Sequence, residues 1–594
     1  MNGSLDYAYY KVWARDVKLG DITSSERNKN IIQKLRDGDA DFQSLYILEE
    51  ENNGVDGEFI VQQSDDLGWL GYFIGESKTL RLLHMSCNPS PPVCLLEGIC
   101  RNRSIQTLEV ENIIVDTTFI HLAPFFGNNS NLTRFMLGCL SMRSDLCARN
   151  FAMALVKSNS LTRLCFEVSA DGGQFSDNAF NNIIFPALNF LPQLEELYFN
   201  EHYIGGEEYA TLSNILRLGG MGKLRVLDLT SSGVDDEGLQ SLVAGMRYCR
   251  NLMRLDLYDN NQITVTGLRT LSGFFQSDSC RLESLNLASI GINDEGAIIL
   301  ATGLTTYKSL KRLDISDNAI GDEGIAALVS GVTIAANTSL ETLRLSGNPL
   351  TIAGVRSLST LIQSERSCLK LLDLGSMIDG DEAAEALILA NALANNTSLM
   401  HLGLGYNIHK EGEDTFSRLL CDTSSISNIY SSNHTLESIG DLRNRRDPTH
   451  DDIRRYLILN RNTRCLNPIY RRLVPMCKIL IHHPDLADMK PFYQWKLKVL
   501  PIIADWFQKA KACQNYFEES AKTFQRRELS AMYRFIRGVP LLVADGFWSQ
   551  QLKQVRVKKR RVEEDEKEIR EKKHRVEEEE MQVLDRLSGQ RASL

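Results

Sequence analysis

No run of about 18 consecutive apolar residues occurs in the 594-residue chain, so a membrane-spanning helix is not expected. The opening stretch MNGSLDYAYYKVWARDV lacks a basic segment followed by an apolar core, and no secretory signal is read there. Cysteine is present, 13 in number, but no two form a C-x-x-C pair, so neither a disulfide framework nor a zinc site is indicated. Reduced thiols and a cytoplasmic or nuclear setting follow from these absences. Catalytic signatures are missing too: G-x-S-x-G, H-E-x-x-H and G-x-x-x-x-G-K-[ST] do not occur. GESKT at 75 and GGMGK at 219 lack the glycine spacing that aims backbone N–H groups at a phosphate. A non-enzymatic chain with no cofactor and no metal is the expectation.

What is present is an uneven charge. Residues 1–440 carry 33 Lys and Arg against 54 Asp and Glu, a net −21, whereas residues 441–594 carry 33 against 22, a net +11. An acidic body repels nucleic acid and suits a protein with a basic surface, whereas the basic tail could attract acidic partners. The predicted partner of the body is therefore a protein, with no nucleic acid on it and no membrane.

A repeat is also present. The pattern L-x-x-L-x-L starts at Phe42, Leu80, Ile105, Leu132, Leu161, Leu194, Leu224, Leu252, Leu282, Leu310, Leu340, Leu369 and Leu399. From Leu194 onward the starts lie 28 to 30 residues apart, and a fixed period of that length marks a repeat array. In LKRLDISDN, Leu310, Leu313 and Ile315 point inward, while Arg312 and Asp314 share the opposite face of the strand. Asn318 then turns the chain, as do Asn260, Asn348 and Asn407; Ser232, Ile290 and Met377 depart from the pattern. VDDEG at 234, INDEG at 292 and IGDEG at 320 follow the turns. Carboxylates that recur from unit to unit fit helix N-terminal capping better than a metal site. Behind them Ile325, Leu328 and Val332 continue at helical spacing.

One strand and one helix per unit predict an α/β solenoid, with a curved parallel sheet inside and helices outside. Residues 42 to about 435 resemble leucine-rich repeats of the ribonuclease-inhibitor type, also found in NOD-like receptors and Ran-type GTPase-activating proteins. That resemblance implies a regulatory protein-binding scaffold that uses its concave face. The alternative it implies is GTPase activation, but the acidic tail of the Ran-type activators is missing here and no catalytic arginine can be matched. Residues 1–41 are read as an N-terminal capping region, with a helix in SSERNKNIIQKLRDGD, and 42–440 as the repeats, closed by the degenerate ISNIYSSNHTLESIG.

The partner-binding residues are expected on the concave face of the regular repeats. The fifth strand position supplies Asp228, Asp256, Asn286, Asp314, Arg344 and Asp373, and the third supplies Arg254, Arg312 and His401. Tyr258 and Tyr406 stand near strand ends. The competing reading is that Asp and Arg on neighbouring strands simply neutralise one another.

Beyond the repeats, residues 441–548 read as a helical module with Trp495, Trp506 and Trp548 in its core, and resemble helical tails of repeat proteins from unicellular algae. Residues 549–594 read as a long charged helix. A stripe of Val555, Val562, Ile569, Val576 and Val583 recurs every seven residues, but the companion positions Lys558, Asp565, Lys572 and Glu579 are charged, so self-association is expected to be weak. Lys558, Lys559, Arg560 and Arg561 form a candidate nuclear import signal, or simply one charged face of that helix.

Overall fold

The computed structural model describes residues 7–464, apart from 51–54, 63–65, 87–90, 112–114, 140–144, 169–179, 202–203, 205, 220, 335–338, 376–381, 406–409, 425 and 441–450. The tryptophans expected in the helical module, the heptad stripe and the basic run from Lys558 to Arg561 lie outside the described residues, as do Met377, Tyr406 and Asn407.

Every predicted L-x-x-L-x-L start leads into a strand two residues on. These are β1 (Ser44–Leu48), β3 (Leu82–Ser86), β4 (Thr107–Glu111), β5 (Arg134–Cys139), β6 (Arg163–Val168), β7 (Glu196–Asn200) and β8 (Val226–Asp228). They continue as β9 (Arg254–Asp256), β10 (Ser284–Asn286), β11 (Arg312–Asp314), β12 (Thr342–Arg344), β13 (Leu371–Asp373) and β14 (His401–Gly403). Two further strands, β2 (Glu58–Ile60) and β15 (Ser438–Gly440), complete a 15-stranded sheet in which each strand pairs in parallel with that of the next repeat. The exception is the start of the sheet, where β2 is outermost and β1 lies between it and β3. This is a leucine-rich repeat solenoid in the α/β class, with helices lining one face of the sheet.

The inward positions are sealed: Leu310, Leu313 and Ile315 are buried, and the equivalent side chains of the other repeats match them. In the earlier repeats phenylalanines fill the same layer, with Phe119, Phe135, Phe151, Phe166 and Phe199 in ring-to-ring contact. After the strand, Asn318 binds across repeats: its Nδ2 donates to the carbonyls of Leu287, Ile315 and Ser316, and its Oδ1 accepts from Ile290 and Ile292. Asn260 and Asn348 do the same work. Where serine replaces asparagine, the Ser232 hydroxyl still reaches the Phe199 carbonyl at 2.7 Å, so part of the ladder survives there. The residue before the ladder position is left-handed, as in Ser231, Asp259, Ser289, Asp317 and Gly347. This fits the small or Asx-type residues that precede the described ladder asparagines Asn260, Asn318 and Asn348.

The acidic motif divides its labour. Asp235 and Asn293 cap their own helices by accepting from Gly238 and Gly296. The next carboxylate caps the helix of the following repeat: Asp236 accepts from Gly267, Asp294 from Gly321 and Gly324, and Asp322 from Gly354. Helix Asp322–Ile334 begins after Gly321, which has no side chain with which to cap it, and Asp294 supplies the missing acceptor.

Adjacent helices stack tightly. A Cβ on Gly98 would sit 1.9 Å from the Gly71 carbonyl oxygen, so helices Asp66–Glu76 and Val93–Arg101 meet backbone to backbone.

Both ends of the sheet are covered. Helix Glu26–Asp37 lies within the expected capping segment; it opens on Ser25 and closes on Gly38 at φ 67°. Its Asn28 exchanges two hydrogen bonds with Ile60 on β2, and Arg27 pairs with buried Glu58, so the outermost strand does not offer a free edge. At the other end β15 continues the register, His401 opposite Ser438. Helix Asp451–Arg464 follows, burying Ile453, Tyr456 and Leu457, and Asn460 donates to the Leu436 carbonyl at 2.6 Å. The described residues up to Leu420 and within Asn433–Arg461 form one compact unit, and Cys421–Ser432 does not belong to it.

Candidate binding face

The sheet face turned away from the helices is built from the third, fifth and seventh strand positions. Register places Tyr198, Asp228, Asp256, Asn286, Asp314, Arg344 and Asp373 in one row across seven strands. The fifth position also serves its own turn: Asp228 accepts from Thr230 N–H, Asp256 from Tyr258, Asn286 from Ala288 and Asp314 from Ser316, at 3.1 to 3.2 Å. An Asx side chain that binds the backbone two residues on ends the strand and starts the turn. These aspartates are recessed. Asp228, Asp256 and Asp373 are 7%, 4% and 7% exposed, and Gly403 leaves room for Asp373, whose Oδ1 would lie 2.2 Å from a Cβ there. Burial, then the neighbouring Asp256, pushes the Asp228 carboxyl above its ordinary range.

The arginines, by contrast, stand out. Arg254 is half exposed while holding Asp256 at 3.0 Å, Arg344 is half exposed with Asp314 at 3.5 Å, and Arg312 is exposed. Tyr258 is 40% exposed, and His401 is partly buried with Nδ1 2.8 Å from the Ser438 hydroxyl. So the predicted residues within the described segments do share one face, but the carboxylates serve the strand ends and the cations and tyrosine reach solvent.

Sequence reasoning passed over the earlier strands of the same face. His84 on β3 lies 3.2 Å from Glu109 and 3.8 Å from Glu111 on β4. Glu111 and Glu167 occupy one row with Gly138 between them. Because Gly138 has no side chain, Glu111 leans across it, its Cγ 2.8 Å from where a Cβ would be. Burial raises the Glu167 carboxyl above its usual range, and Glu111, Glu201 and Glu109 raise it further. Cys165, buried nearby, is pushed up to about 12, first by burial and then by Glu167. Counting third, fifth and seventh positions from Ile105 and Leu161 is the signal that flags Glu109, Glu111 and Glu167; the irregular turns of these repeats obscure it.

Among the described residues, no three His, Cys, Asp or Glu side chains are arranged to hold a metal ion, and no helix is long and apolar enough to cross a membrane.

A family model described as Leucine Rich repeat matches residues 223–243, 248–272, 308–329 and 336–359. Among curated proteins, the ribonuclease inhibitor of Sus scrofa is 31% identical over 200 residues, 34% of this chain and 43% of that protein. NACHT, LRR and PYD domains-containing protein 14 of Mus musculus is 29% identical over 297 residues, 43% of this chain and 29% of that protein. The chain therefore spans less than half the length of either relative. Among solved structures, a chain of the yeast Rad7 and Elc1 complex aligns over 67% of this chain and 86% of its own at 15% identity, with a TM-score of 0.37, too low to carry weight. The chain is thus a leucine-rich repeat solenoid whose repeat unit the family model matches, and over about a third of its length it is similar to the ribonuclease inhibitor.

Proposed function

We propose that the chain is a non-enzymatic, regulatory scaffold in the cytoplasm or nucleus that holds a protein with a basic surface on the open face of its repeats. The observation that carries the reading is Glu167. Its ionised form is disfavoured by burial and by Glu111, Glu201 and Glu109, and His84 is the basic side chain that faces two of these carboxylates. A lysine or arginine from a partner would relieve that repulsion, and the net −21 of residues 1–440 would steer such a partner in. Farther along, the exposed Arg254, Arg312 and Arg344 would repel a basic surface, so the partner's cations are proposed to seat on the earlier strands, with Tyr258 an uncharged contact.

The test is capture from lysate by the full chain and by a Glu111→Lys/Glu167→Lys variant of unchanged melting temperature. Loss of captured basic proteins is expected; retention of the same set would sink the reading. A panel of small GTPases, incubated with the chain, separates it from the activator alternative: hydrolysis rates should stay at their intrinsic values, and acceleration would overturn the non-enzymatic assignment.

A further inference from the structure

One edge of the sheet, where each helix hands over to the next strand, carries a charge ladder. The residue just before most of the regular strands is charged, and oppositely charged neighbours pair: Arg225 with Glu195 at 3.8 Å, Lys311 with Glu283 at 2.7 Å and Lys370 with Glu341 at 2.7 Å. The ladder is interrupted at Met253, as it is again at Met400 before β14. Around Met253, Arg225 keeps Glu195, but three other cations have no carboxylate partner among the described residues. Lys223 is bound to the neutral Gln193 amide, Arg281 to the carbonyls of Asp278 and Cys280, and Arg250 makes no ion pair among the described residues. The result is an open depression of about 460 Å³, lined by four cationic side chains against two anionic ones, on a body that is otherwise strongly acidic.

Exposed apolar side chains stand at or just beyond the helix ends that lead into these strands. Phe190 is 61% exposed, Leu218 74% and Tyr248 60%, one in each of three successive repeats. Scattered surface hydrophobics need no explanation, but one at the helix end of each of three consecutive repeats, leading into a mainly cationic stretch, makes an amphipathic strip.

We infer that this edge is a second interaction surface, distinct from the open face, for an acidic segment of a partner protein that also carries large apolar side chains. Backbone donors take no part in it: the N–H groups of Arg225, Met253 and Glu283 are all spent on the neighbouring strand's carbonyls, at 2.7 to 2.8 Å. A small phosphate-type ligand would lack the converging N–H cradle such groups favour. Side-chain cations one strand apart, about 4.8 Å, instead suit a row of carboxylates on one polypeptide, and Met253 with Tyr248 offers apolar contact.

The test uses a fluorescein-labelled peptide of glutamate, leucine and tryptophan, titrated with the full chain and read by anisotropy. Binding is expected, weakening with added salt because exposed ion pairs are screened. Arg250→Glu/Arg281→Glu should weaken it by about tenfold or more, with Lys223→Glu as an independent second variant, while Arg312→Glu on the open face should leave it unchanged. No binding, binding by both edge variants equal to that of the unaltered chain, or loss only with Arg312→Glu would overturn the assignment. So would tighter binding of a single-stranded oligonucleotide of equal charge, which would make the edge a general polyanion surface.

Discussion

Replacing Asn318 by alanine should cost far more than its small side chain suggests. The side chain is 9% exposed and makes five hydrogen bonds, donating to Leu287, Ile315 and Ser316 carbonyls at 2.9, 3.0 and 3.0 Å and accepting from Ile290 and Ile292 at 3.1 and 2.9 Å. Truncation strands two buried N–H groups, each worth about 1 to 3 kcal/mol when left unsatisfied, and removes donors from three carbonyls. A loss of about 3 to 5 kcal/mol follows. Because stability in a repeat array is a sum over neighbours, the damage should be local. Amide exchange read along the chain is therefore the assay, backed by urea unfolding. Protection should fall chiefly between β10 and β12 and persist in the phenylalanine-rich repeats. Asn318→Asp divides the contributions: protonated at low pH, it keeps an acceptor oxygen for both N–H groups and offers one O–H in place of the two amide N–H donors, so it should fall between wild type and alanine there. A cost below about 1 kcal/mol for alanine, or an even loss of protection along the array, would refute the idea that this amide ties successive repeats together.

Further outcomes can be checked alongside. Asp294→Ala should cost about 1 to 2 kcal/mol and speed exchange at Gly321 and Gly324, in the repeat after the mutation, while helix Asp294–Leu304 keeps its Asn293 cap. Gly98→Ala should lower the melting temperature through about 1 to 3 kcal/mol of overpacking, since the clash is with Gly71 backbone rather than a movable side chain. Glu167→Gln should raise stability at neutral pH by about 0.2 to 1 kcal/mol. A carboxyl whose pKa is raised in the fold destabilises it once ionised, so the gain should fade as pH falls through the Glu167 titration; a gain that persists in acid would contradict the charge-crowding account. Sedimentation of the full chain at low micromolar concentration should show a monomer, because charged residues interrupt the heptad stripe, and a tight dimer would reverse that expectation.

Much of the fold could be read from single repeats. Alternation along a strand has period two, and parallel neighbours are one repeat apart, so L-x-x-L-x-L placed each of the thirteen strand starts and the face of Arg312 and Asp314. The ladder asparagines were legible for the same reason, since a buried turn must find partners for its backbone groups. β2 was not legible, as Glu58–Ile60 is short, follows no repeat spacing and exists as a strand only through β1 and Asn28.

The candidate site divides along the same line. By itself the sequence determined which residues face away from the helices, because that follows from position within one unit. Tertiary structure alone decided what they do there. Asp228, Asp256 and Asp373 sink among neighbouring strands and their own backbone, whereas Arg254 and Arg344 reach past them into solvent. Glu111 meets Glu167 because Gly138, on the strand between, has no side chain to hold them apart. Asp294 caps a helix that starts 28 residues later in the chain than itself, at Asp322. Each of these outcomes depends on the residue one or two repeats away, and a local hydrophobic pattern encodes the period of the array without encoding which polar side chains the stacking brings face to face.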